Sequence, residues 1–162
     1  MLTAAACATG GAQREAATRT THSAIAMQTN SWGKLVSEWR IDRSGAGTYS
    51  ATRDVPGGGF RDYDVIVRRF AAGSDGFRRI EALLGAAERG YECEHRISDG
   101  PYGSIEWSWD AAPPHRLNFN YGCQSVDAAR AYGAMAEAGQ LVESWAAAGD
   151  LLETRQVREP RR

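Results

Sequence analysis

Apolar and polar positions first alternate clearly in "KLVSEWRID", where Leu35, Ser37, Trp39 and Ile41 hold one phase and Val36, Glu38, Arg40 and Asp42 the other. A period of two marks a half-buried strand. The glycines of "RSGAG" supply a tight reversal, and "TYSATR" reads as the returning strand of a hairpin. After the loop "DVPGGG", "FRDYDVIVRRF" sets Tyr63, Val65 and Val67 on one face and Ile66 and Phe70 on the other, a strand covered in part on both faces. The period then changes. In "GSDGFRRIEALLGAAERG", Phe77, Ile80, Leu83, Leu84 and Ala87 recur at three and four, which predicts a helix with Ser74 or Asp75 capping its start and Gly90 ending it.

Three further strands are expected from "YECEHRI", "SIEWSW" and "RLNFNYGC", separated by the turn sequences "SDGPYG" and "DAAPPH". Three strands in succession suggest a meander. A long second helix follows, with Val126, Ala129, Tyr132, Met135 or Ala136, Val142 and Trp145 in phase, Ser125 as N-cap, Asp127 complementing the dipole and Gly149 as stop. The order βββαβββα implies an α+β domain: a mainly antiparallel sheet of about six strands with both helices packed on one face. Residues 31–152 form that single domain. Residues 1–30 read as a signal remnant and flexible tether, and residues 153–162, lacking apolar periodicity, as a basic disordered tail.

Composition narrows the function classes. With 43% hydrophobic residues and five tryptophans, the 162-residue chain can bury a core without metal or many cross-links. A formal charge of −1 and a pI near 6.3 argue against a nucleic-acid partner, which requires a net basic face. The 19 basic residues include a single lysine, Lys34, and an arginine and alanine excess of this kind reads as base-composition bias. No segment approaches the roughly 18 to 20 continuous apolar residues of a membrane span.

Candidate chemistry is sparse. "DVPGGGF" lacks the Lys-Ser/Thr of a phosphate loop, no G-x-S-x-G elbow occurs, and no cofactor is expected. Cys93, His95, His115 and Cys123 together resemble no zinc spacing, so no metal is expected and no catalytic residue is assigned. Glu92, Glu94, Asp99 and Glu106 alternate along strands and form a solvated face more simply than a carboxylate pair. The candidate binding surface is aromatic: Asp99 and Tyr102 in the turn, with Trp107 and Trp109 beyond it. Trp107 and Trp109 are also in phase with Ile105, which would place them beneath the helices instead.

The opening "LTAAAC" resembles the end of a bacterial lipobox, with Ala5 and Ala6 at the small positions and Cys7 as the lipidated residue. Ala4 stands where leucine is usual and six residues precede Cys7, so the recorded start is expected to lie inside a longer signal. The span from "WGKLVSEWRI" through "ISDGPYGSIEW" to "NFNYGC" resembles small envelope-lipoprotein domains of uncharacterised function. That resemblance implies a lipid-anchored binding or structural module on the periplasmic face of a bacterial membrane, with an envelope protein or cell-wall glycan as partner and membrane attachment through Cys7 alone. A small periplasmic hydrolase or enzyme inhibitor acting near residues 99–102 is one alternative, and a cytoplasmic domain with free thiols another. Setting Cys7 aside leaves Cys93 and Cys123 as an even pair for a disulfide in an oxidising compartment. A simple meander would hold them roughly 13 to 20 Å apart, beyond the ~7 Å a disulfide spans. Either "YECEH" pairs elsewhere, for example beside the last strand in the opposite direction, or the thiols are separate.

Overall fold

A computed structural model describes residues 21–158 apart from Glu94 and Ser98. Cys7 and its lipobox-like stretch lie outside the described residues. The elements are β1 (Ala24–Ser31), β2 (Lys34–Asp42), β3 (Ala46–Asp54), β4 (Tyr63–Ala71), α1 (Gly73–Glu88), β5 (His95–Arg96), β6 (Tyr102–Ser108), β7 (His115–Asn120), β8 (Cys123–Gln124), α2 (Val126–Ala147) and β9 (Asp150–Val157). Seven strands form one antiparallel sheet in the order β7-β6-β1-β2-β3-β4-β9, and β5 pairs with β8 in a separate ribbon. The fold is α+β with two helices, as the periodicity implies.

One face of the sheet and the inner stripes of both helices make the core. Ile25 and Met27 of β1 lie opposite Ile41 and Trp39 on one side and opposite Trp107 and Ile105 on the other. These side chains are buried together with Phe70, Phe119 and the helices' Phe77, Ile80, Leu84, Met135 and Val142. The opposite sheet face carries Gln28, Glu38, Arg40, Ser104, Glu106 and Arg116, which line an open polar depression. A sheet covered on one side alternates in this way.

Four expectations are corrected. The domain is wider than 31–152: β1 lies in the stretch assigned to the tether and β9 reaches into the stretch assigned to the tail, which gives the main sheet seven strands. Neither Ser74 nor Asp75 caps α1. The chain leaves β4 through Ala72, whose N–H bonds the Gly45 carbonyl at 2.8 Å, and through Gly73 at φ 68°. A Cβ on Gly45 would sit 2.0 Å from the Gly73 carbonyl, so this close backbone approach positions the helix start. Ser125 does cap α2, accepting from the Ala128 N–H at 3.1 Å. Yet α2 is rotated from the expected phase: it buries Ala128, Ala131, Met135, Ala138, Val142 and Ala146, while Val126 is 77% exposed. Alanines line the inner stripe, which lets the helix lie close to the sheet.

The fourth correction concerns the meander. Among the described residues of "YECEHRI" only His95–Arg96 is a strand, and it pairs antiparallel with β8, His95 opposite Gln124 and Arg96 opposite Cys123. That pairing brings Cys93 and Cys123 to disulfide distance, with Cα atoms 5.4 Å apart. The conflict between meander and disulfide is thereby removed.

Candidate binding site

The end of the sheet bearing the β1–β2 hairpin is built from short, constrained turns. Trp32 and Gly33 connect the strands with φ of 52° and 77°. Positive φ at both central residues is the two-residue hairpin geometry that suits the right-handed twist of its strands, and it favours Asn-Gly over any bulky residue. Holding tryptophan there costs on the order of 1 to 3 kcal/mol, and Trp32 regains little by burial because it is 72% exposed. The loop between β3 and β4 is pinned by hydrogen bonds from Gly58 N to Val55 O at 2.9 Å and from Asp62 N to Gly59 O at 2.9 Å. At its apex Phe60 is 58% exposed.

Cations and aromatic rings meet between these turns. The Lys34 ammonium lies 4.7 Å from the Tyr63 ring centroid and 5.6 Å from that of Phe60, and it pairs with Asp54. Arg158, just beyond β9, donates to the Tyr63 carbonyl at 2.8 Å and to Asp64 Oδ1 at 2.8 Å. Arg53 bonds the other Asp64 oxygen at 3.1 Å. With Gly33, Arg61 and Val157, the residues Trp32, Lys34, Phe60, Tyr63 and Arg158 line a basin of about 480 Å³, within the range usual for ligand sites. Aromatic faces stack on the C–H faces of sugar rings, and the cations, though held by Asp54 and Asp64, keep N–H donors for a ligand's oxygens.

Arg158, and next Arg53, hold the Asp64 carboxyl below its ordinary pKa. A folded-state value below the unfolded one gives a contribution present above about pH 4 and lost as pH falls through the folded value. A carboxyl-carbon NMR titration is therefore expected to give Asp64 a midpoint below the reference for aspartate. A midpoint at or above that reference would mean that the Arg158 clasp is not formed.

The aromatic surface read from the sequence is only partly gathered here. Tyr102 is exposed at the start of β6, opposite Asn30 and thus two residues from the Trp32 turn, and Asp99 is exposed in the turn before it. Trp107 is corrected: it is fully buried, stacked on His115 with ring centroids 5.5 Å apart. Trp109 is half-buried against His22, 4.8 Å between centroids. The cause is the strand period, which puts Trp107 on the same face as Ile105. His95 is exposed on the ribbon, and among the described residues no group of three or more His, Cys, Asp and Glu is placed to hold a metal ion.

Two features went unread. The basin residues were hidden because Trp32 precedes the first clear alternation, "KLVSEWRID", and Phe60 follows the glycines of the loop "DVPGGG"; the available signal was a bulky aromatic beside glycine at each apex. The second is His22, which is buried, with Nδ1 2.6 Å from Glu81 Oε1, Nε2 2.9 Å from Glu88 Oε1 and its backbone N–H bonded to Glu81 at 3.2 Å. It pins the entry to β1 against α1. Replacing His22 with alanine is expected to lower the unfolding free energy by about 1.5 to 3 kcal/mol, since a buried ring that contacts two carboxylates is lost. Urea denaturation checks this, and a change under 0.5 kcal/mol would show the bridge to be idle.

A smaller cleft of about 230 Å³ lies between α2 and the sheet, beside Tyr49, Tyr121 and Glu143. Burial, and secondarily Glu143, pushes the Tyr49 phenol up. Its floor includes the core residues Trp39 and Met135.

Fold and site together define a small α+β domain with an open aromatic and cationic basin at one end of its sheet. No protein-family model, curated protein or solved structure matches the chain. No helix among the described residues is long and apolar enough to cross a membrane.

Proposed function

We propose that this protein is a lipid-anchored, non-catalytic binding module of the bacterial cell envelope, tethered through Cys7, that holds cell-wall glycan in the Trp32 basin. The observation that carries the reading is Trp32 itself: a tryptophan kept in a left-handed turn, largely exposed, beside exposed Phe60 and cation-covered Tyr63. Backbone strain that burial does not offset is characteristic of residues kept for contact with a ligand. The ligand class follows from the chemistry of the walls. Flat rings favour sugar faces, and Lys34 and Arg158, each held by an aspartate, have further N–H donors to offer a glycan's oxygens. Envelope location is supported by the paired Cys93 and Cys123, which suit an oxidising compartment, and by the resemblance of "LTAAAC" to a lipobox. His95 and Asp99, the residues around which an active site near the 99–102 turn would form, line neither the basin nor the polar depression.

Co-sedimentation of the full chain with purified cell-wall sacculi tests the reading. Wild type is expected to pellet with the sacculi, and Trp32→Ala to bind at least about tenfold more weakly, with Tyr102→Ala changed little. Equal binding by wild type and Trp32→Ala, or no pelleting at all, would overturn it. Intact mass of the product made from its full gene in a bacterial host tests the anchor: an acylated Cys7 is expected, and an unmodified Cys7 with reduced Cys93 and Cys123 removes the envelope from the account.

A further inference from the structure

Among the described residues β9 borders only β4, so its other edge offers backbone groups that no described strand pairs. Seven of its eight residues are exposed, on both faces of the sheet, including Leu151 at 57% and Leu152 at 49%. Burial therefore holds this strand very little; it is attached through its ladder with β4. Its charges are also ordered. Glu153 precedes Thr154 and Arg155 follows it. Asp150 and Arg158, further out, are already engaged by Arg69 at 2.9 Å and by Asp64.

We propose that β9 pairs antiparallel with β9 of a second copy of this chain, across a two-fold axis at Thr154, joining the two sheets into one. The second copy is the partner because the strand's charge order is complementary to itself. A two-fold axis normal to the sheet keeps paired residues on the same face, so it must pass through a residue. Centred on Glu153, it sets two glutamates opposite each other; centred on Arg155, it opposes two arginines. Like charges directly opposite are unfavourable. Centred on Thr154, the axis places Glu153 of each copy opposite Arg155 of the other, with the two threonines facing and each exposed Leu152 beside Gln156 of the second copy. Only this register of the three turns every central charge into a pair. The extra residue Leu152, opposite the Val67–Arg68 step, ends the ladder on one side and the two-fold repeats that limit on the other, so the paired segment is Glu153–Arg155 of each copy, with Leu152 and Gln156 at its margins. Arg158 and the aromatic basin stay outside that segment, so the inference is independent of the proposed function.

Sedimentation velocity of the full chain, run from about 10 to 300 μM, with three charge variants, tests it. Wild type is expected to shift to the dimer mass as concentration rises. Glu153→Arg alone and Arg155→Glu alone are each expected to weaken dimerisation at least tenfold, because each puts like charges opposite. The double variant Glu153→Arg/Arg155→Glu is expected to restore it, which also controls for folding of the single variants. A wild type that stays monomeric throughout, or single reversals that associate as wild type does, overturns the proposal. Failure of the double variant to recover overturns the Thr154 register.

Discussion

Replacing Trp107 with alanine is expected to lower the unfolding free energy by about 3 to 5 kcal/mol, the cost of emptying a tryptophan-sized volume in a packed core. Trp107 is fully buried, sits opposite Ile25 in the β1–β6 pair and stacks on His115. A loss of this size is a large part of the stability of an ordinary domain, so the variant should unfold at much lower urea concentration. The same measurement separates two placements of the residue. An exposed Trp107, as on a binding surface, could be removed within about 0.5 kcal/mol. Trp109→Ala serves as the internal comparison, since its ring is only half-buried, at the edge of the core beside His22, and should cost less.

The second large effect is expected at the disulfide. Cys93 and Cys123 are 30 residues apart and enclose β5, β6 and β7. On the chain-entropy account, closing a loop of that length stabilises by about 3 to 4 kcal/mol. Cys93→Ser/Cys123→Ser, or reduction of the wild type, should therefore lower the melting temperature by roughly 10 °C or more. The region most affected should be β6 and β7, whose connections the bond restrains. A melting temperature indifferent to reductant would show that the bond does not form in the protein.

What the sequence disclosed, and what it did not, follows from where burial governs local structure. β2, β3, β4, β6 and α1 are each half-buried, so their apolar periods are visible, and with them the α+β class. β1 contains Ile25, Met27 and Thr29 in phase, but the intervening alanine, glutamine and asparagine have little preference for strands, and the pattern merges with the polar stretch before it. β9 has no buried stripe, so its alternation records charge rather than burial. The rotation of α2 shows a third limit: bulky residues draw the reader to one face, whereas alanines let the helix approach the sheet through another. The proposed binding surface was legible only as an aromatic tendency. Tyr102 was placed correctly outside the core, but Trp107 belongs to the core, and the exposed Trp32 and Phe60 lay outside any apolar period. The Cys93–Cys123 pair was legible from counting, while its geometry depended on a ribbon two residues long.

The claim that the Trp32 basin receives glycan is tested most directly by the indole N–H signals of the five tryptophans, followed by NMR while the full chain is titrated with a soluble muropeptide bearing its lactyl and peptide carboxylates. Trp32→Phe identifies the Trp32 signal. The predicted result is a saturable shift of Trp32, with the buried Trp39 and Trp107 unmoved. A titration in which Trp32 stays fixed, whether or not other signals move, would contradict the account.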